Sequence, residues 1–116
     1  MNKIIKRGQI YYARLNNGCG SEQYGIRPVL IIQNNKGNQY SPTTIVACIT
    51  SKVGMKHHLP THYFLPPSKG LPFPSIIMLE QIMVIDKRRI VRYIGRISYK
   101  RMKIVNKKIL LSLGIQ

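Results

Sequence analysis

The sequence predicts a mainly β domain, a compact twisted sheet or barrel with one helix packed on its side. Three observations carry this reading. Six short runs rich in β-branched and aromatic residues are separated by clusters of Gly, Pro, Asn and Ser. Several of these runs are apolar at consecutive positions, the pattern of strands buried on both faces. Only the last segment has helical spacing.

Taken in order, Gln9 to Leu15 has the aromatic and β-branched content of a first strand and ends at Asn16-Asn17-Gly18. A glycine-punctuated polar loop follows and leads into Pro28 to Asn34, where Val-Leu-Ile-Ile suits a central strand with Pro28 at its first position. Arg27 is thereby expected at a loop-to-strand junction, with Asn34 to Asn38 as a turn. Thr43 to Ser51 makes a third strand that emerges into two hydroxyls, and residues 52–59 form a basic loop. Thr61 to Leu65 resumes as strand and stops at Pro66-Pro67. Ser75 to Ile85 is a fifth strand with Glu80 and Gln81 inside an apolar run, and Ile90 to Ile97 a sixth with a bulge at Gly95. Ser98 then caps a helix whose Met102, Val105, Ile109 and Leu113 form its apolar face, with Gly114 as the stop.

With 116 residues, positions 1–116 are expected to form a single domain around one hydrophobic core. Charge is the unusual feature: 19 Lys and Arg stand against 3 acids, a net charge of +16. Such a balance implies a polyanionic partner, nucleic acid first. The basic amino terminus has an apolar part far too short for a signal peptide, and no run is long enough to cross a membrane. The reading is a cytoplasmic protein with two free thiols: Cys48 a small core residue, Cys19 in the loop, and no disulfide in a reducing compartment.

Familiar enzymatic motifs are missing, and three scattered carboxylates do not readily build a metal centre. A two-metal nuclease is therefore disfavoured, and no cofactor is expected. RNA permits cleavage without one. Its 2′-hydroxyl attacks the adjacent phosphorus, so the protein need only align the chain, neutralise developing charge and assist proton transfer. Arg27 with Thr50, a guanidinium and a hydroxyl both at strand ends, is the sharpest pairing for this work. The competing reading makes Arg27 a structural partner of Glu22 or Glu80 and Thr50 a strand cap. His57 and His58 lie in a basic loop, whereas His62 is placed to line a groove and touch a base or phosphate. Tyrosines offer stacking platforms, although Tyr11, Tyr12 and Tyr63 suit core or interface positions.

Arg7-Gly8-Gln9-Ile10-Tyr11, Gly20-Ser21-Glu22-Gln23, Arg27 to Asn34, Gly37-Asn38, Ile49-Thr50, Leu59 to His62, Leu79 to Ile82 and Ile85-Asp86-Lys87 follow one another in an order that resembles the MazF/PemK toxins. The likeness runs from about Lys6 to Gly114. It implies a small SH3-like barrel of the CcdB/PemK type with a carboxy-terminal helix. It also implies a homodimeric endoribonuclease toxin of a type II toxin–antitoxin module. Such an mRNA interferase would block translation by cutting single-stranded mRNA at short sequences without metal, leaving 2′,3′-cyclic phosphate and 5′-hydroxyl ends. An acidic antitoxin would occupy the RNA groove.

Carried over by position, the resemblance makes Arg27 the essential arginine and Thr50 the phosphate-contacting threonine. Ser21, Glu22 and Gln23 match the loop beside the RNA, Glu22 being the available base. Asn34, Asn38, Ser51, Thr61, Ser75, Glu80 and Gln81 would line the groove and read base edges, beside the His62 placed there above. Gln9, Asn35 and Met83 depart from the family pattern, and Met83 removes an arginine expected to touch RNA or the dimer partner. The alternatives from other classes are a non-catalytic RNA-binding module and a gyrase-inhibiting toxin.

Overall fold

The computed structural model describes residues 4–16, 25–54 and 58–116. Six strands, β1 (Gln9–Leu15), β2 (Gly25–Ile31), β3 (Thr43–Thr50), β4 (His62–Leu65), β5 (Ser75–Asp86) and β6 (Ile90–Arg96), are joined by a short helix α1 (Asn35–Tyr40) and closed by α2 (Tyr99–Ser112). All pair antiparallel in one curled sheet of order β4-β5-β3-β2-β1-β6.

The consecutive apolar runs have the predicted consequence, because both faces of the sheet are buried. On one face Tyr11, Ala13, Val29, Ile31, Val46, Ile76, Ile85 and Ile90 form a cluster; strands from both halves of the sheet supply it, so the curl itself encloses it. On the other face Ile10, Leu30, Ala47, Ile49, Leu65 and Ile77 pack under Met102 and Val105 of α2. Burial at about 25 cal/mol per Å² of apolar surface makes these two clusters the main source of stability.

Four expectations need correction. β2 begins at Gly25, so Arg27 lies inside a strand and Pro28 is not its first residue. Proline is accommodated because β2 pairs β3 only from Val29 onward, leaving Pro28 where one side of the strand is open. Residues 34–38 are not a simple turn: the Asn34 side chain accepts the Gly37 N–H at 2.7 Å and starts α1. Leu113, placed by spacing on the apolar face of α2, is exposed, since the helix runs past the edge of the core. Cys48 is buried but is not a free thiol; it is held in a disulfide whose partner lies outside the described residues. Spacing along the chain carries no information on which cysteines the fold brings together.

Bulges do the local shaping. β6 is interrupted beside Gly95, since Ile10 pairs Gly95 while Tyr11 pairs Tyr93, and again at Val91. β5 carries a larger one: Ala47 pairs Ile82 but Cys48 pairs Met78, so Leu79, Glu80 and Gln81 have no partner on β3.

Candidate active site

The pairing of β2 with β3 stops at Val29 and Cys48. Two steps beyond, the same register would set Arg27 across from Thr50, yet there the strands splay. Each is still held on its far side, Arg27 by Ala13 of β1 and Thr50 by Ile76 of β5. A gap between two fixed strand ends is a rigid place to hold a ligand.

The splay opens a pocket of about 190 Å³. Arg27, Thr50, Ser51, Lys52 and Ser75 supply its polar lining, and Tyr12, Pro28, Ile49 and Leu71 to Phe73 its apolar wall. The Thr50 hydroxyl is oriented by accepting the Lys52 N–H at 3.1 Å, and Ser75 donates to the Phe73 carbonyl at 3.0 Å. Two cations and three hydroxyls line the pocket with no carboxylate among the described residues, a surface matched to a phosphodiester. Its wall is held in place at Gly70: a Cβ there would stand 2.5 Å from the Ile94 carbonyl oxygen, so the segment lies directly against β6.

The structure thus brings together Arg27, Thr50, Ser51 and Ser75 in one pocket lining and sets Asn34, Asn38, Thr61, His62, Glu80 and Gln81 outside that lining. Thr61, His62 and Glu80 form a closed knot at the β5 bulge. Thr61 donates to Glu80 Oε1 at 2.7 Å, and His62 Nδ1 accepts the Leu59 N–H, which leaves the Nε2 proton to be donated to Glu80 Oε2 at 2.9 Å. Burial raises the tendency of Glu80 to protonate. The hydrogen bonds from Thr61, its own backbone and His62 outweigh this, so its carboxyl is held below the ordinary value of 4.5. Gln81 is half-buried beside them.

Asn34 and Asn38 lie at α1. Asn34 is committed to the helix cap. Asn38 is buried, accepting from Thr44 Oγ1 at 2.7 Å and Gln33 Nε2 at 3.1 Å while donating to the Gln33 carbonyl at 2.9 Å. Ser21, Glu22 and Gln23 lie outside the described residues. Sequence reading missed Lys52, whose only signal was its place after Thr50-Ser51, and the pocket position of Tyr12.

The departures have local explanations. Gln9 Oε1 accepts from the Lys6 N–H and the Tyr11 hydroxyl, at 2.7 and 2.9 Å, and Asn35 Oδ1 accepts the Arg7 N–H at 2.7 Å. Met83 packs against the cluster of Val29, Val46 and Ile76. Among the described residues no group of three or more His, Cys, Asp or Glu is placed to share a metal ion, and no helix is long and apolar enough to cross a membrane.

A curled, strongly basic β domain with a guanidinium and hydroxyls lining one gap, and no carboxylate there among the described residues, has the fold of the small toxin-barrel class. The chain belongs to the PemK-like, MazF-like toxins of type II toxin–antitoxin systems, whose family model matches residues 6–113. It is 49% identical to the endoribonuclease MazF of Staphylococcus saprophyticus over 97% of this chain and 93% of that one, and 44% identical to the endoribonuclease EndoA of Bacillus subtilis over 97% of each. Among solved structures, MazF of Deinococcus radiodurans superposes with a TM-score of 0.79 at 19% identity, covering 97% of this chain and 99% of that one. A mycobacterial endoribonuclease in complex with its cognate antitoxin superposes at 0.78 and 23% identity over 97% of each chain. These two likenesses speak to the fold, which is the SH3-like toxin barrel that the resemblance implied.

Proposed function

We propose that this chain is an endoribonuclease toxin that cuts single-stranded mRNA at the splay between β2 and β3. The observation that carries the reading is the pocket that Arg27 and Thr50 line together, where the β2–β3 pairing has ended, with Ser51, Lys52 and Ser75 around them. In the reaction the 2′-hydroxyl loses its proton and its oxygen bonds to phosphorus, while the P–O5′ bond breaks and O5′ takes up a proton. The products are a 2′,3′-cyclic phosphate and a 5′-hydroxyl.

Arg27 is permanently charged and therefore unsuited as a base; it stabilises the charge on the phosphorane oxygens and stands where it can assist the leaving oxygen. The Thr50 hydroxyl, fixed by Lys52 N–H, donates to the same phosphate. Ser51, Lys52 and Ser75 position the strand. Glu22, from outside the described residues, is the carboxylate for proton removal. No step calls for a divalent ion.

The partners follow the same logic. A net charge of +16 fits both the RNA and an acidic antitoxin that competes for the groove. Ile104, Leu110 and Leu111 of α2 and Leu113 at its carboxy-terminal cap are exposed, an apolar surface that supports a homodimer. Such a toxin acts in the cytoplasm, where its transcripts are.

Incubating the purified chain with a diverse single-stranded RNA pool in EDTA tests the proposal. Cleavage with 5′-hydroxyl ends, lost in Arg27→Ala, is the expected result. Salt-sensitive RNA binding without new ends would leave a non-catalytic RNA-binding module in its place.

A further inference from the structure

The apolar wall of the Arg27 pocket does not end at the pocket. Tyr12 is shared with a second cleft of about 260 Å³, lined by Tyr12, Ile26, Val91 and Arg92. Strand register explains the juxtaposition: Tyr12 stands between Pro28 of β2 and Arg92 of β6, and Arg14 stands opposite Ile26. Along β6 the partners of Tyr12 and Ala13 are Arg92 and Ile90, so Val91 is the bulged residue, and the bulge lets Val91 and Arg92 line one cleft. The Arg92 guanidinium lies 5.1 Å from the centre of the Tyr12 ring.

Ile26 and Val91 are 50% and 45% exposed, apolar side chains held out to solvent beside Arg92, and the exposed Arg14 is the strand partner of Ile26. An aromatic ring, two aliphatic groups and flanking guanidiniums are the surface that a base of single-stranded RNA occupies, its ring against apolar and aromatic groups and its backbone among cations. We infer that the Tyr12–Ile26–Val91–Arg92 cleft is a nucleobase subsite for one nucleotide flanking the phosphate held at Arg27 and Thr50. Continuity through Tyr12 and a lining that holds no carboxylate among the described residues favour RNA as the occupant. This inference rests on the reading of the Arg27 pocket as the RNA-cleaving site.

The test uses binding as well as cleavage, so that the two readings fail separately. A single-stranded RNA with a 2′-deoxy nucleotide at the cut, hence uncleavable, is prepared in a series with one abasic nucleotide stepped through the positions on either side. The wild-type chain should lose about ten- to hundredfold in affinity when the abasic nucleotide is at one flanking position. Tyr12→Ala and Ile26→Glu should bind the intact RNA more weakly by a similar factor and be indifferent to the abasic nucleotide there. Tyr12→Phe should restore the dependence, because the ring and not the hydroxyl makes the contact. A folded Tyr12→Ala that retains the wild-type abasic profile overturns the subsite. So does a variant that weakens only the binding of a Glu- and Asp-rich peptide. Wild-type chain that binds with this profile but cuts no RNA refutes the nuclease reading alone.

Discussion

The gap between β2 and β3 and the bulge in β5 are both polar places in an apolar sheet, and they use their polar groups in opposite ways. At the bulge, Thr61, His62 and Glu80 are joined to one another by bonds of 2.7 and 2.9 Å, and the carboxylate meets its donors within the chain. At the gap, Arg27, Thr50, Ser51, Lys52 and Ser75 line one pocket, with the Thr50 hydroxyl accepting the Lys52 N–H and Ser75 donating to the Phe73 carbonyl. A closed network stabilises the fold, whereas polar groups arranged around a space suit a ligand. Residue type alone does not separate these roles. Whether the groups close on one another or border an open space does.

The comparison breaks if substitutions on the two sides have the same consequence. The largest effect is expected at the pocket: Arg27→Ala should lower cleavage by about a hundred- to thousandfold, the scale of removing one transition-state charge donor, with an unchanged urea midpoint. A variant that instead unfolds would move Arg27 to the structural side. Thr50→Val, isosteric but without the hydroxyl, should cost about tenfold or more in single-turnover rate and sharpen the assignment of that oxygen to the phosphate.

At the knot the order reverses. Glu80→Ala leaves Thr61 and His62 without their acceptor and should destabilise the fold by about 1–3 kcal/mol in denaturant titration, while cleavage under folding conditions stays near wild type. A large loss of cleavage without loss of stability would make the knot part of the RNA site. pH adds a smaller signature. Because the folded-state carboxyl of Glu80 lies below its ordinary value, its contribution is present above about 4.5 and is lost as pH falls through the depressed value. Stability curves of wild type and Glu80→Gln should therefore converge at pH below 4.5, and parallel curves there would deny the coupling. The smallest effect is reserved for Lys52→Ala: the log-log salt slope of RNA binding should flatten by about 0.7, the value of one single-strand phosphate contact.

Local sequence was informative where local physics decides. β1, β3, β4, β5 and β6 lie within a residue or so of their expected bounds because β-branched runs and turn residues act over short distances. Ser98 caps α2 by accepting the Arg101 N–H at 3.2 Å, and Gly114 adopts the expected positive φ of 73°. The start of β2 was missed because Gly25-Ile26-Arg27 becomes strand by pairing with β1, a contact from another part of the chain. Asn38 shows the same limit: its amide type suggests a groove residue, yet Thr44 and Gln33 draw it into the interior.

The sequence by itself determined a basic, mainly β domain, its family, and the identity of an arginine and a threonine suited to phosphate chemistry. Only the tertiary structure decided that these two meet. Arg27 and Thr50 are brought across from each other by the β2–β3 register, and the pocket exists because that pairing ends two residues short of them. Where a ladder stops and which way a bulge turns its side chains depend on the sum of contacts made with other strands. No single stretch of sequence contains that sum.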